Sequence, residues 1–518
     1  MLHYKHYEMS SVSTIENRYR HSRFAWLIYI LIIKAIVACI MIAAFDIHLS
    51  PDEAQYWTWS QKLDWGYYSK PPAIAWQIWT TTMIFGNTEF GIRFGAVIIS
   101  FFLALVVFHL SHSAKLTEKV SFWAAIVMAF CPLGIFLTFA ATTDGGSTLF
   151  LTLGIAEIVK GMHEKRGPNY ALAGVWIFLG ALYKWTAFII WPVTIIMIFF
   201  HPKLRRWSLF WGILISLLAL LPSIYWNATH DWATFKHVGQ TIYHTGAKTG
   251  GNIVDFFFAQ VGIISPIYFI LLVASYFYIR KPTLVYCGLF PLLILIYFVS
   301  AFFKRMQPNW GDFLYPTGCV LIAWVALEKI RLGRIWLHIG TWLSVIGTFF
   351  ALTIPWMQGH SVFSTHPITY NANPFRQSMG WDKIETALVQ AGYNSAENFL
   401  FADRYQAASL LSFYGPEQKG AYFFNVNQER KNQFSYNPRM ENLEKGHTGY
   451  FVLFENIPYG YVNWYEENYP RKLAPYFETV EFAGAYPLFS AYGEGVKHAM
   501  IFKCSNYLGT SKQDPELY

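Results

Sequence analysis

The chain has 518 residues, of which 54% are hydrophobic, 19% aromatic and only 14% charged. An average soluble domain has about 25% charged residues, so this composition excludes an ordinary soluble globular protein and is typical of a membrane protein. The net charge of +8 does not predict a nucleic-acid partner, because Lys and Arg collect at the cytoplasmic ends of membrane helices.

The basic excess is confined to the first two thirds of the chain. Residues 357–518 contain 13 Lys and Arg against 16 Asp and Glu, so their net charge is −3 and that of residues 1–356 is +11. The five cysteines are spread along the chain without a CxxC pair, which argues against a disulfide framework or a zinc site. We therefore expect residues 1–356 to form a transmembrane domain and residues 357–518 a second, soluble domain.

Eleven apolar runs approach the roughly 20 residues that a membrane-spanning helix needs. Several are short, and the number of helices is predicted only to within one or two. Lys34 lies inside the first run, where an ionisable residue is either functional or paired inside the helix bundle. The runs cover residues 24–45, 92–113, 121–141, 146–160, 169–183, 185–200, 207–226, 255–279, 283–303, 313–328 and 335–356.

The loop charges predict the orientation of these helices. If the N-terminus is cytoplasmic, the inner tail and loops hold 17 Lys and Arg, whereas the outer loops hold 7, or 8 with Arg93. This distribution follows the positive-inside rule. An odd number of crossings then places residues 357–518 on the periplasmic side of a bacterial inner membrane.

The C-terminal part has the pattern of a small α/β domain. Strand-like apolar runs occur at 398–403, 449–455 and 498–504, and residues 382–392 have helical spacing that ends at Gly392.

The first predicted outer loop carries charged residues directly after a membrane helix. In "SPDE", Ser50 is a candidate N-cap, Pro51 suits the first turn, and Glu53 would complete a capping box. Asp52 in that first turn is favoured as an ionised carboxylate by the helix dipole, which suits both a cap and a general base. Residues 52–63 and 71–86 are predicted to be helices at the membrane interface, because they are short and rich in Trp and Tyr.

More charged residues are predicted on the same outer face. Asp144, in "TFAATTDGG", lies just after the third apolar run. Lys184 lies in a tight turn, and Lys304 and Arg305 begin the segment "KRMQPNWGDFLYP". Each alone could be a solvated loop residue or a side chain that reaches the headgroups. Together, two acids and several cations beside interfacial aromatics suit transfer from a lipid-phosphate donor. The cations would neutralise the leaving phosphate while an acid deprotonates the incoming hydroxyl.

The motifs "PDEAQYWTWSQ", "YYSKPPAIAW", "TDGG" and "QPNW" resemble those of the polytopic GT-C glycosyltransferases. The branch they resemble includes the bacterial aminoarabinose-to-lipid A transferases and relatives of the dolichyl-phosphate-mannose protein mannosyltransferases. The blocks at 226–235 and 402–414 are similar to that group as well. The resemblance implies an α-helical polytopic fold with about 11 transmembrane helices, interfacial helices in the first outer loop and a periplasmic α/β domain.

The resemblance also implies roles for individual residues. Asp52 corresponds to the general base, with Glu53 as a supporting acid, and Asp144 to the second acidic motif, which orients or assists. Lys70 corresponds to the lysine that holds the lipid-linked phosphate, and Lys184 and Arg305 are further candidates for the same task. The candidate contacts for the sugar or the acceptor are Tyr67, Tyr68, Asn309 and Trp310.

The implied reaction moves a sugar from a polyprenyl phosphate to a periplasmic acceptor with inversion. The acceptor is lipid A or another lipopolysaccharide component, a polysaccharide, or a protein hydroxyl. No cofactor is expected, and no pattern supports a metal site. Ser69 stands where the aminoarabinose enzymes have Glu, which argues against an aminoarabinose donor and against a metal site built on that Glu.

Two alternatives come from other classes of protein. A transporter would place its charges near the membrane midplane or on broken helices, and only Lys34 fits that pattern. A non-catalytic membrane protein that binds partners would leave Asp52, Lys70 and Asp144 without a shared purpose. The sequence therefore favours a membrane glycosyltransferase whose sugar, acceptor and oligomeric state are open.

Overall fold

The chain divides into two compact units in the computed structural model, which describes residues 3–45, 47–243, 251–362, 364–457, 461–512 and 514–518. Side chains are described from residue 23 onward, apart from residues 242 and 243. The first unit contains Met1–Met41, Arg93–Ser223 and His244–Thr348, and the second contains Ile42–Ile92, Ile224–Tyr243 and Phe349–Tyr518. The units do not follow the predicted division at residue 356, because two internal segments group with the C-terminal part. The membrane and periplasmic assignments of 1–356 and 357–518 stay predictions.

Helices dominate both units. The α-helices of the first half are α1 (His3–Ala44), α2 (Pro51–Gln61), α3 (Ala73–Phe85), α4 (Glu89–Ser113), α5 (Glu118–Phe130), α6 (Pro132–Phe139), α7 (Thr143–His163), α8 (Tyr170–Ala181), α9 (Ile190–Ile198), α10 (Ser208–Leu217), α11 (Leu220–Thr229) and α12 (Ala233–Tyr243). The others are α13 (Ile253–Ile264), α14 (Pro266–Ser275), α15 (Pro282–Leu292), α16 (Ile294–Phe303), α17 (Tyr315–Glu328), α18 (Gly333–Gly359), α19 (Ile384–Gln390), α20 (Tyr405–Tyr414), α21 (Met440–Leu443) and α22 (Val462–Leu473).

The apolar helices confirm a multi-pass membrane protein but not the predicted number of crossings. Among the described residues, six helical segments are long and apolar enough to span a membrane, or eight if two bent pairs each count as one. The bent pairs are α5 with α6 (58°) and α13 with α14 (94°). The predicted spans 169–183 and 185–200 correspond to helices that are too short to cross a membrane. The predicted span 146–160 lies in α7, which is long enough but not apolar enough to be counted among the spanning helices.

Lys34 is paired inside the first unit. Its Nζ donates to Ser100 Oγ at 3.0 Å, Thr138 Oγ1 at 2.8 Å and the Gly134 carbonyl oxygen at 3.2 Å. A lysine ammonium has three protons to donate, so this side chain is fully hydrogen-bonded. The structure therefore favours the paired, structural interpretation of Lys34 over a functional one.

The second unit contains a five-stranded sheet in the order β2-β1-β3-β5-β4, with β1 (Asn398–Ala402), β2 (Tyr422–Phe423), β3 (Thr448–Glu455), β4 (Phe477–Ala491) and β5 (Glu494–Tyr507). β1 is parallel to β2 and β3, and β5 is antiparallel to β3 and β4. The three predicted strands are confirmed as β1, β3 and β5. The predicted helix 382–392 is confirmed as α19, which is followed by Gly392 at a φ of 87°.

The segment that leads into α2 is attached to the rest of the second unit through His48. Its Nδ1 lies 3.0 Å from Glu89 Oε1 and its Nε2 lies 3.0 Å from Asp382 Oδ1. The Tyr414 hydroxyl donates to the same Glu89 carboxylate and accepts from the Leu49 amide. Burial alone would lower the pKa of His48, but the two carboxylates raise it to about 9. His48 is therefore a buried imidazolium at neutral pH.

This His48 ion-pair network predicts a pH-dependent stability. Because the pKa rises from 6.5 to about 9 on folding, the stabilisation is complete below pH 6.5 and is lost as the pH rises through 9. It amounts to about 3 kcal/mol. We expect His48→Gln to lower the Tm at pH 6.5 and to remove the loss of Tm between pH 6.5 and 10. His366→Gln, at an exposed histidine, is the control. An unchanged pH profile in His48→Gln would contradict the assignment.

Candidate active site

The first carboxylates of the candidate site lie at the start of α2. The predicted capping box is confirmed: Ser50 Oγ accepts from the Glu53 amide, and Glu53 Oε2 accepts from the Ser50 amide at 2.9 Å. Glu53 is 2% exposed, so its carboxylate is committed to the helix end. Asp52, in the same turn, is exposed. Of the two acids, Asp52 is thus the one that a substrate can reach.

Tyr405 interacts with Asp52 and with Arg430 in the second unit. Tyr405 begins α20, which packs against α2. Burial raises the pKa of Tyr405, and the negative charge of Asp52 raises it further, whereas a hydrogen bond with the Arg430 side chain opposes the rise. Tyr405 is therefore a neutral hydroxyl beside one carboxylate and one guanidinium. Sequence analysis did not predict either residue as part of a site.

The loop after α2 holds Tyr67, Tyr68 and Lys70. The Tyr67 amide donates to the Lys70 carbonyl oxygen at 3.1 Å. The Tyr67 ring stacks on Trp59 at 4.6 Å, and its hydroxyl donates to the Trp59 carbonyl oxygen. Tyr67 is 2% exposed, so the structure gives it a packing position and does not support a sugar contact. Lys70 is half-buried.

Tyr68 has a different environment from Tyr67. Its amide donates to Gln433 Oε1 at 2.7 Å, and its ring lies 4.9 Å from the imidazole of His237. The side chain is 4% exposed. Within the described part of the chain, neither the Tyr68 hydroxyl nor His237 Nδ1 has a hydrogen-bond partner. Buried polar atoms are nearly always paired, so these two atoms can hydrogen-bond to a ligand group.

The pKa of His237 shows that positive charges lie near its imidazole. Burial lowers its pKa first, and the positive charges of Arg430 and Lys70 lower it further, to about 4. The imidazole is therefore uncharged at neutral pH. Two cations act on this one ring, although Arg430 and Lys70 are 360 positions apart in the sequence. Asp52 and Arg430 thus act on Tyr405, and Arg430 and Lys70 act on His237. We group Asp52, Lys70, Tyr405 and Arg430 on these interactions, as one exposed acid with two positive charges.

The second predicted acid, Asp144, lies in the first unit at the start of α7. Its Oδ1 accepts from Lys184 Nζ at 2.6 Å, and its Oδ2 accepts from Asn309 Nδ2 at 3.4 Å. Both charged side chains are largely buried. Burial alone would lower the pKa of Lys184, but the Asp144 carboxylate raises it above its ordinary value. The structure thus brings together three of the predicted residues as an ion pair with an added amide.

Other features surround this ion pair. Asp312 is 1% exposed, and its Oδ1 has no hydrogen-bond partner among the described residues. Gly146 lets the Tyr183 ring approach closely, because a Cβ there would lie 2.6 Å from ring atoms. Arg305 is exposed, and Trp310 packs against the cluster of Phe256, Ala301 and Met306. The structure therefore supports Asn309, but not Trp310, as a neighbour of Asp144.

No metal site is evident in the part of the chain that the structure describes. There, no group of three or more His, Cys, Asp and Glu side chains is arranged to hold a metal ion. Metal dependence stays open to experiment.

Comparison with known proteins agrees with the fold and the motifs. Residues 69–226 match the family model described as dolichyl-phosphate-mannose-protein mannosyltransferase. The structure of ArnT from Cupriavidus metallidurans bound to undecaprenyl phosphate superposes with a TM-score of 0.60 at 12% identity, covering 92% of this chain and 98% of that one. This likeness defines a GT-C type of fold and confirms the predicted resemblance to the GT-C glycosyltransferases.

Two relatives of known name are similar to part of this chain in sequence. The chain is 31% identical over 294 residues to the lipid A galacturonosyltransferase RgtD of Rhizobium johnstonii, covering 54% of this chain and 60% of the relative. It is 27% identical over 199 residues to the undecaprenyl phosphate-alpha-4-amino-4-deoxy-L-arabinose arabinosyl transferase 2 of Proteus mirabilis, covering 34% of this chain and 35% of the relative. The matches therefore span about a third to three fifths of these relatives. In the aligned parts, this chain resembles a lipid A galacturonosyltransferase and an undecaprenyl phosphate-aminoarabinose transferase.

Proposed function

We propose that the protein transfers a sugar from a polyprenyl-phosphate donor to an acceptor on the periplasmic side, with inversion at the anomeric carbon. The observation that carries this proposal is the exposed Asp52 carboxylate at a capped helix end, in a group that includes the cations Lys70 and Arg430. The first choice of acceptor is lipid A or another lipopolysaccharide component, because the similar protein RgtD is a lipid A galacturonosyltransferase. The undecaprenyl phosphate-linked donor of the similar arabinosyl transferase supports the donor class. A protein hydroxyl is the second candidate, supported by the mannosyltransferase family match.

The mechanism follows from these groups. The acceptor oxygen forms a bond to the anomeric carbon as the bond from that carbon to the phosphate oxygen breaks. The bonding electrons leave with polyprenyl phosphate, whose negative charge Lys70 and Arg430 stabilise. When the acceptor is a hydroxyl, its proton passes to Asp52. When the acceptor is a phosphate, it is already ionised and needs no base, and Asp52 then positions groups or stabilises positive charge on the sugar.

Asp144 and Lys184 keep the roles that the resemblance implies. Asp144 orients or assists, and Lys184 holds a phosphate. Arg305 remains a candidate for phosphate binding because it is an exposed cation.

Mass spectrometry of lipid A from cells with and without the protein tests the proposal. We expect a sugar-sized mass that is present with the wild-type protein and missing with Asp52→Asn. The mass added would identify the class of sugar. An unchanged lipid A would reject lipid A as the acceptor, and the same comparison on intact lipopolysaccharide and on periplasmic proteins would then test the alternatives.

Arg430→Ala is expected to raise the KM for the polyprenyl-phosphate donor about tenfold or more, because a hydrogen bond to a charged group contributes about 1.5–3 kcal/mol. Arg430→Lys should recover part of the loss, since it keeps the charge but not the planar fork. Arg471→Ala, at an exposed arginine of α22, is the control. Donor kinetics of the purified protein in lipid nanodiscs measure the effect. An unchanged KM in Arg430→Ala would reject the role of Arg430.

The proposed orientation also has a direct test. A tag fused after Tyr518 should be cleaved by protease added to intact spheroplasts, and a tag fused before Met1 should be protected until the membrane is opened. Protection of the C-terminal tag would overturn the periplasmic assignment.

A further inference from the structure

A groove of about 970 Å³ lies on the second unit, apart from the residues assigned to the reaction. Its walls come from the C-terminal half of α2, the start of β1, the edge strand β2 and the segment from 434 to 447. This volume is at the upper end of the range for pockets that hold drug-sized ligands, so the groove is larger than a single sugar needs. The proposed function does not use it.

The lining combines ring faces with fixed polar groups. Half-buried Tyr422 and Phe434 contribute rings. The Tyr422 hydroxyl donates to Glu444 Oε1 at 2.8 Å, and His447 Nδ1 lies 3.1 Å from Glu444 Oε2. A carboxylate held by two partners still has lone pairs that can accept hydroxyl protons. Preorganised acceptors beside ring faces are suited to a ligand that carries many hydroxyl groups on an apolar ring.

The charge of the lining argues against a strongly anionic ligand. Of the lining residues, three are basic and four are acidic, and Arg439 already pairs with Asp514 at 3.1 Å. An anionic ligand such as a phosphate-rich glycolipid headgroup would be expected to select a basic surface. The charged residues are Lys419, Arg439, Lys512, Glu397, Glu441, Glu444 and Asp514. Their near balance favours a neutral ligand.

An added peptide strand fits the groove less well than a saccharide. Strand addition needs a row of unpaired backbone groups along a sheet edge. The edge strand β2 has only two residues. Next to it, the Ala421 amide already donates to Ser412 Oγ at 2.9 Å.

The helix α2 connects this groove to the proposed general base. Asp52 is in its first turn, and Trp57, Thr58 and Gln61 of the same helix line the groove. At 1.5 Å per residue, the lining residues lie roughly 8–14 Å along the helix axis from Asp52. A chain of a few sugars can cover this distance.

We propose that the groove binds a neutral oligosaccharide carried by the acceptor and holds it while another part of the acceptor reacts at Asp52. This inference rests on the proposed function for the role of the bound sugar, but the binding itself is independent of catalysis. The protein would accordingly prefer an acceptor that already carries a sugar chain.

The test uses one blocking variant and one matched control in the full-length protein. Asn437 is exposed and lines the groove, whereas Asn442 is exposed nearby but does not line it. Asn437→Trp should fill the groove, and Asn442→Trp should leave it open. Binding is measured by saturation-transfer NMR with a neutral oligosaccharide prepared from the lipopolysaccharide of the bacterium that makes the protein, freed of acidic sugars and phosphate groups. Transfer is compared between lipid A alone and lipid A that carries this oligosaccharide.

We expect the wild-type protein and Asn442→Trp to bind the oligosaccharide and Asn437→Trp to lose binding. Asn437→Trp should also lower kcat/KM about tenfold or more for the sugar-bearing acceptor only, because the added ring excludes the sugar chain and its binding energy is lost. No binding to the wild-type protein, or equal binding to both variants, would overturn the proposal. Displacement by an unstructured Ser- and Thr-rich peptide without oligosaccharide binding would assign the groove to a polypeptide and also overturn it. Oligosaccharide binding without any transfer would instead reject the proposed function alone.

Discussion

Replacing Asp52 with asparagine is expected to reduce sugar transfer to a hydroxyl acceptor by about 10²–10⁴-fold, the range that a general base contributes. Asparagine keeps the size of the side chain but cannot accept the acceptor proton. The protein should remain folded because Asp52 is exposed and the capping box of α2 uses Ser50 and Glu53. Initial rates in nanodiscs, together with the Tm of the same preparation, measure both effects.

Glu53→Gln is the matched control for this prediction. It removes the charge of the buried carboxylate at the helix N-terminus, which costs about 0.3–1 kcal/mol. The Gln side-chain oxygen can still accept from the Ser50 amide, since Gln also serves in a capping box. We expect a lower Tm with a smaller loss of rate than in Asp52→Asn. A fully active Asp52→Asn would reject the assignment of the base. A loss well below 10²-fold would indicate an acceptor, such as a phosphate, that needs no deprotonation.

Breaking the ion pair between Asp144 and Lys184 should have the largest effect on stability. Lys184→Met leaves a buried carboxylate without its cation, and removing one partner of a buried pair costs about 3–5 kcal/mol. The double variant Asp144→Asn with Lys184→Met has no unpaired charge and should regain much of that stability. Thermal unfolding of the four proteins in one detergent gives a double-mutant cycle. A single variant as stable as the wild type would contradict the prediction.

Activity of the double variant then separates the two possible roles of this pair. If the pair only holds the fold together, transfer should return along with the stability. If Asp144 or Lys184 takes part in the reaction, the double variant should be folded and still inactive. An exposed pair such as Lys419 with Glu417 serves as the control, since such pairs contribute about 0–1 kcal/mol.

Features that depend on local chemistry were predictable from the sequence. The capping box at Ser50 and Glu53, the apolar run that forms α1 and the stop of α19 at Gly392 each follow from residues within one or two turns. The strand β4 was missed, because Gly484 and Pro487 interrupt its pattern and most of its residues are half-buried or exposed. The two bends were missed although Pro132 and Pro266 mark them in the sequence, since their angles depend on how the neighbouring helices pack.

The residues of the candidate site also fall into those that the sequence could predict and those that it could not. Asp52, Lys70 and Asp144 stand in motifs that could be recognised, and Tyr405 lies in the block 402–414, which resembles the same family. Arg430 had no signal, because an exposed arginine in a polar loop looks like any other surface charge. Only folding brings it to Tyr405 and, with Lys70, into electrostatic range of His237. Tyr67 lies in a recognisable motif, but its burial and its packing on Trp59 could not be predicted from the sequence.

The helix α2 joins the proposed base to the groove without a break. Because it is continuous from Pro51 to Gln61, the separation between the base at its first turn and the groove at its last turn is fixed by the helix. The distance between the groove and Asp52 would then decide which acceptor atom reacts. It would be the atom that lies this far along the acceptor from the sugars bound in the groove. Acceptors with the same reactive group but a longer or shorter spacer would then be poor substrates.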